Sequence, residues 1–220
     1  MAYREFVKLL HTSTKRDYLS RVTQRDKADV AEIAVKYGYD YWDGSRDTGF
    51  GGYKYDGRWR KVADAMVAAY GLKAGMRVLD VGSGKGFLLH DFQGSMPGLE
   101  VAGIDISAYG IEHTMEDVKP FCQVGSAAKL PYPDQHFDLV VSITTLHNLY
   151  NYDLHAALKE IERVSRGAKY ICVEAYRNER EKVNLMYWQL TCRAFHTPEE
   201  WKFVFDGAGY TGDHEFIYFE

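Results

Sequence analysis

An α/β fold, with a mostly parallel sheet covered on both faces by helices, is what this sequence predicts, and three observations predict it. Short apolar stretches of strand length alternate with helical stretches from residue 77 to the end. Residues 78–89, Val-Leu-Asp-Val-Gly-Ser-Gly-Lys-Gly-Phe-Leu-Leu, read as a buried strand that passes through a glycine turn into a helix. Two of the apolar strands, 77–81 and 101–105, carry an acidic residue at or near their carboxyl end, Asp80 and Asp105.

Taken in order, the chain opens with polar helical segments over 16–20 and 26–37, the second capped by Asp26 or Asp29, with Val30, Ile33, Ala34 and Tyr37 at helical spacing. Residues 37–60 hold too many glycines for a regular helix and too many tyrosines and tryptophans for a solvated linker. A helix over 59–70 follows and Gly71 stops it. The remainder predicts strand 77–81, helix 85–93, strand 101–105, helix 107–116 capped by Ser107, strand 120–124, strand 137–142, helix 153–165, strand 169–175, helices near 180–192 and 198–207, and a last strand over 214–219. Two parts result: 1–58, an N-terminal helical and aromatic segment, and 59–220, the sheet domain.

The whole chain of 220 residues suits one domain, and its 46% apolar content supports a full core. A formal charge of −4 gives no reason to expect a nucleic-acid partner. No eighteen-residue apolar run and no signal-peptide core are present, so a soluble, cytoplasmic protein with no membrane contact is expected, as a monomer or homodimer. Cys122, Cys172 and Cys192 are spaced for neither a disulfide framework nor a metal site, and no metal is expected.

The glycine turn points to a ligand lying against bare backbone at Gly82, Gly84 and Gly86. A dinucleotide turn needs glycine where Phe87 stands, and Asp80 would repel a pyrophosphate; no Gly-Lys-Ser/Thr with the P-loop spacer occurs either. A cofactor that carries an ammonium and a sulfonium but no phosphate fits better. Asp105 lies at the distance expected of a carboxylate that accepts from a ribose diol.

On these residues the sequence resembles class I S-adenosylmethionine-dependent methyltransferases, nearest in pattern to the ubiquinone/menaquinone-biosynthesis type, from about Val78 to Gly209. The resemblance implies a Rossmann-like fold with a seven-stranded, mostly parallel sheet and an antiparallel last strand, to which Glu215-Phe216-Ile217-Tyr218-Phe219 would belong. It implies S-adenosyl-L-methionine as cofactor, bound by Asp80, Gly82, Ser83, Gly84, Gly86, Asp105, Ile106, Ser126, Ala127 and Thr144. Residues 124–134 and 137–142 match the segment near the adenine and the fourth strand. Ser126 stands where the family usually has an acidic residue, and Ser165-Arg166-Gly167-Ala168-Lys169 replaces a Leu-Lys-Pro-Gly-Gly turn.

Acceptor-binding residues are expected at the carboxyl rim of the sheet: Tyr39, Trp42, Arg46, Tyr53, Tyr55, Asn148, Tyr152, Tyr176 and Arg177. Packing is the competing reading for Tyr39 and Trp42, and a solvated ion-paired helix face for Arg177. His147, just after the fourth strand, is the candidate catalytic base, with a structural histidine as the alternative. The expected activity is methyl transfer to oxygen or nitrogen of a small polar or anionic metabolite, a sugar derivative being one option. Non-methyl chemistry with the same cofactor, cyclisation or elimination, is the alternative. Residues 37–60 are expected to act as a lid that orders over the cofactor and supplies part of the acceptor site.

Overall fold

The structure, a computed structural model, describes residues 1–12 and 16–220. Helices α1 (Lys8–Thr12), α2 (Ser20–Thr23), α3 (Lys27–Ala34), α4 (Tyr39–Trp42) and α5 (Arg60–Tyr70) precede the sheet. The Rossmann-like core then runs β1 (Arg77–Val81), α6 (Phe87–Ser95), β2 (Glu100–Asp105), α7 (Ala108–Glu112), β3 (Cys122–Val124), β4 (Phe137–Ile143), α8 (Asn151–Val164), β5 (Ser165–Glu174), α9 (Glu179–Trp188), α10 (Pro198–Ala208) and β6 (Asp213–Ile217). Asp26 caps α3, Ser107 caps α7, and Thr197 with Glu200 forms a reciprocal capping box on α10.

Six strands pair in the order β3-β2-β1-β4-β5-β6, and every pairing is parallel. Leu154, Leu158 and Ile161 of α8 join Trp201 and Phe205 of α10 on one face. The other face is covered by Val62 and Met66 of α5, Leu88, Leu89 and Phe92 of α6, and Leu185 of α9. Strand order therefore reverses between β1 and β4, and the crevice beyond their carboxyl ends is where such sheets take ligands.

The seventh, antiparallel strand is not formed among the described residues. The α9–α10 crossover returns the chain to the end of the sheet at which β5 begins, so β6 pairs parallel with β5 in continuous register, Tyr170 opposite Asp213 through Glu174 opposite Ile217. The free edge of β6 is met by the N-terminus, where Tyr3 bridges His214 in parallel and Arg4 N donates to His214 O at 3.0 Å. The changed turn before β5 also has a structural outcome: α8 runs directly into β5. Phe137 pairs with Ser165 but Leu139 with Ala168, so Arg166 and Gly167 bulge opposite Asp138 and Arg166 forks onto its carboxylate at 2.7 and 2.8 Å.

The N-terminal segment is held to the sheet by one fully buried carboxylate. Glu215 on β6 accepts from the amides of Phe6, Val7 and Lys8 at 2.7, 2.9 and 2.7 Å, and from the Tyr170 hydroxyl. Each buried donor left unsatisfied costs about 1–3 kcal/mol, so Glu215→Ala should lower unfolding free energy by roughly 3 kcal/mol or more. Urea unfolding measures this; a loss below about 1 kcal/mol would show that the segment is not anchored there.

Candidate active site

The glycine turn after β1 is shaped by contacts as well as by conformation. Gly82 has φ 90°, and a Cβ on it would stand 1.9 Å from Thr145 Oγ1. Gly84 has φ 53°, and its Cβ would meet the Trp42 indole at 2.7 Å. The Asp105 carboxylate binds the turn from β2, accepting from Gly84 N and Ser107 N at 2.8 Å each. Burial raises the Asp105 pKa while those two amides oppose it. Among the described residues Asp80 has no such donors, and burial together with the charge of Asp105 pushes its pKa up to about 8. Among the described residues, Ser83 Oγ is buried without a hydrogen-bond partner. Two carboxylates and an unpaired hydroxyl around bare backbone suit a cationic, hydroxyl-bearing ligand.

These groups line a cavity of about 300 Å³, walled by Asp80, Gly82, Ser83, Gly84, Asp105, Ile106, Ser126 and Thr144 and covered by Tyr37, Tyr41, Trp42 and Tyr53. It shares Tyr41, Phe50, Tyr53, Trp59, Phe87, Thr144 and Asn148 with a second cavity of about 450 Å³. Thr144, on the shared wall, has φ 54°, a strained conformation for a β-branched residue, and its amide is fixed to Cys172 O at 2.9 Å.

The cover is seated by a mostly buried ion pair. Lys85, inside the glycine turn, donates to Asp43 Oδ1 and Oδ2 at 2.7 and 2.6 Å and to Tyr53 O at 3.0 Å, while Tyr109 donates to Asp43 at 2.9 Å. Burial raises the Asp43 pKa, but the Lys85 and Tyr109 hydrogen bonds outweigh it and leave the carboxyl below its ordinary value. Trp42 stacks on Phe50 at 5.4 Å between ring centroids, Phe50 meets Tyr53 at 4.5 Å, and Tyr53 stacks on Phe87 at 4.8 Å. The Trp42 indole also donates to Ser107 Oγ at 2.8 Å.

At the far side of the shared wall, His147 is 1% exposed, and its Nε2 lies 3.4 Å from Glu174 Oε2. Burial lowers the His147 pKa to about 3, which keeps the ring neutral, and raises that of Glu174 to about 8. Gln189 donates to Glu174 Oε1, but Glu174 Oε2 is buried with no hydrogen-bond partner among the described residues.

Several residues expected at the site lie elsewhere for identifiable reasons. Gly86 packs its Cα against Thr114 and Val118, and Ala127 packs on the core. Tyr39 is exposed against Tyr109; Tyr55 donates to Asp91; Tyr152 is exposed and stacked on Tyr150; Tyr176 lies under Lys182; Arg177 is bound by Glu181 and Glu220. Trp42 and Tyr53 line the first cavity, Arg46 and Tyr53 the second, and Asn148 both. The sequence reading missed Glu174 as a buried carboxyl and the Arg16, Arg21 and Trp188 wall of the larger cavity. A single acidic residue at the end of β5 was the only signal for the first; the second is assembled from distant segments.

A family model described as a methyltransferase domain matches residues 79–173. The chain is 28% identical over 178 residues to the demethylmenaquinone methyltransferase of Roseiflexus sp. (strain RS-1), covering 79% of this chain and 67% of that one. It is 34% identical over 128 residues to that of Symbiobacterium thermophilum, covering 54% and 50%. It therefore spans about two thirds and half of the lengths of these curated relatives. In fold it is similar to a methyltransferase solved with the Haloferax volcanii Trm112 activator, at 22% identity and a TM-score of 0.57 over 89% of this chain and 77% of that one.

The contact between Gly84 and Trp42 is open to test. Gly84→Ala combines a left-handed strain of roughly 1–2 kcal/mol with a clash against the indole ring. It should unseat Trp42, red-shifting the tryptophan emission, and the shift should be absent when Gly84→Ala is made in a Trp42→Phe background. An unchanged spectrum in Gly84→Ala would contradict the packing of the cover on the turn.

Proposed function

We propose that this chain, a class I S-adenosylmethionine-dependent methyltransferase of the ubiquinone/menaquinone-biosynthesis type, transfers methyl to an oxygen or nitrogen of a small polar or anionic metabolite in the larger cavity. The observation that carries the reading is the contiguity of the two cavities across Thr144 and Asn148, one walled by carboxylates and the other by cations. In it, Asp105 holds the ribose hydroxyls, Asp80 faces the ammonium, and Gly82, Ser83, Gly84, Ile106, Ser126 and Thr144 form the remaining wall. Bound there, S-adenosylmethionine supplies an electrophilic methyl group. The chain's own part is to align the acceptor, exclude water with Tyr53, Phe50 and Trp59, and take up a proton.

Glu174 is better matched to that last role than His147. A base works best with a pKa near the working pH, which burial gives Glu174 at about 8 and denies His147 at about 3. His147, 3.4 Å from Glu174 Oε2, then serves to orient the carboxyl. A demethylated quinone, as the relatives' names indicate for them, is the second acceptor class; the cationic wall favours a charged one. The reading is of a cytoplasmic enzyme, monomeric or homodimeric, acting apart from membrane and nucleic acid; among the described residues no helix is long and apolar enough to cross a membrane.

Turnover of a metabolite extract with labelled methyl donor should yield S-adenosylhomocysteine; methylthioadenosine instead would favour cyclisation or elimination chemistry. Asp105→Ala should weaken cofactor binding by roughly 1.5–3 kcal/mol in calorimetry, and unchanged affinity would remove Asp105 from the ribose. The pH dependence has a definite sign. Asp80 must ionise to face a cation, so below pH 8 binding releases a proton, and affinity should rise with pH by up to about tenfold per unit and level off above 8. A flat profile between pH 6 and 8 would contradict this placement of Asp80.

A further inference from the structure

We propose that the larger cavity grips its acceptor by an oxyanion, a carboxylate or a phosphate, held between Arg21 and Arg46 at the Trp188 wall. The inference rests on the reading of that cavity as the acceptor site and names the group that it recognises.

Three guanidinium groups from separate segments converge on one indole. The Arg16, Arg21 and Arg46 groups lie 5.4, 5.3 and 5.4 Å from the Trp188 ring centroid, and all four residues line the cavity. Cation–π attraction to the ring stabilises each but leaves their mutual repulsion in place. Among the described residues, no carboxylate lies within ion-pairing distance of Arg21 or Arg46. Of the other carboxyl groups of this cavity, Asp56 is paired with Arg58 at 2.6 Å, and Glu174, held by Gln189 beside His147, lies close enough to attract Arg16 but makes no ion pair with Arg21 or Arg46.

The two arginines are also aimed. Arg21 Nε donates to Trp188 O at 3.3 Å and its Nη1 to Arg46 O, and Arg46 Nη1 donates to Phe50 O at 2.9 Å. These bonds fix both forks to backbone and leave Arg21 Nη2, Arg46 Nε and Arg46 Nη2 without an acceptor among the described residues. Fixed guanidinium forks with unused donors match the bidentate geometry of a carboxylate or phosphate, which a lone lysine would meet only as a point charge. An anion seated there removes the repulsion and places the rest of a small acceptor in the space between Trp188 and Thr144, toward the cofactor cavity.

Calorimetry on the full chain tests this. The protein is first titrated with S-adenosylhomocysteine, and the loaded protein then with inorganic phosphate, with benzoate and with uncharged benzamide. At least one anion should bind in the millimolar range or tighter, benzamide should not, and Arg21→Gln and Arg46→Gln should each weaken the anion at least tenfold while S-adenosylhomocysteine affinity stays within twofold. Phosphate or benzoate alone identifies which oxyanion the site takes. No binding of either anion to the loaded wild type, or equal binding to both variants, overturns the oxyanion site. Failure of S-adenosylhomocysteine itself to bind counts against the methyltransferase reading instead, so the two failures are told apart.

Discussion

The ion pair between Lys85 and Asp43 joins the two halves of the site. Lys85 belongs to the glycine turn that follows β1, and Asp43 to the aromatic passage that covers it. The Lys85 side chain is 7% exposed and that of Asp43 21%, so neither charge can be left alone cheaply; removing one partner of a buried pair costs about 3–5 kcal/mol, and the partial exposure of Asp43 sets this one toward the lower end. Everything else in the cover follows from that anchor. With Asp43 fixed, Trp42 settles on Gly84 and the Trp42–Phe50–Tyr53–Phe87 column closes over both cavities.

A division of charge runs through the site. Carboxylates at the ends of β1 and β2 line the smaller cavity, and guanidinium groups from the N-terminal segments line the larger one. Between them stand Thr144, held in a strained backbone conformation, and the neutral pair His147–Glu174. On the proposed reading, a positively charged donor and a negatively charged acceptor would be sorted into adjoining spaces before any chemistry occurs, which suits a reaction that depends mainly on alignment and exclusion of water.

The glycine turn and its two carboxylates were legible because they are local. Glycines, a strand-end carboxylate and a second carboxylate about twenty residues on report a turn that can be read from spacing alone, and Asp80, Gly84 and Asp105 lie together in the structure. The sheet core was legible for the same reason, since β1, β2 and β4 are nearly continuous apolar runs. Beyond that, local signals ran out. The direction of β6 depends on the α9–α10 crossover, and Arg16, Arg21, Arg46 and Trp188 are brought to one wall by tertiary packing. Arg177 and Tyr152 carry the right chemistry at the right rim but are turned to ion pairs or solvent. The aromatic passage was recognisable as something other than a solvated linker, yet its anchor was not, because nothing in the sequence pairs Asp43 with Lys85.

Hydrogen exchange in wild type and Lys85→Met tests the central claim, that the cover is seated on the glycine turn by the Lys85–Asp43 pair. The amides of Phe50 and Tyr53, which donate to Tyr41 O and Trp42 O at 2.8 and 2.9 Å, report the cover, and those of β1 and β4 report the sheet. The account predicts that Lys85→Met loses protection at Phe50 and Tyr53 while β1 and β4 keep theirs. Undiminished protection at Phe50 and Tyr53 would contradict it.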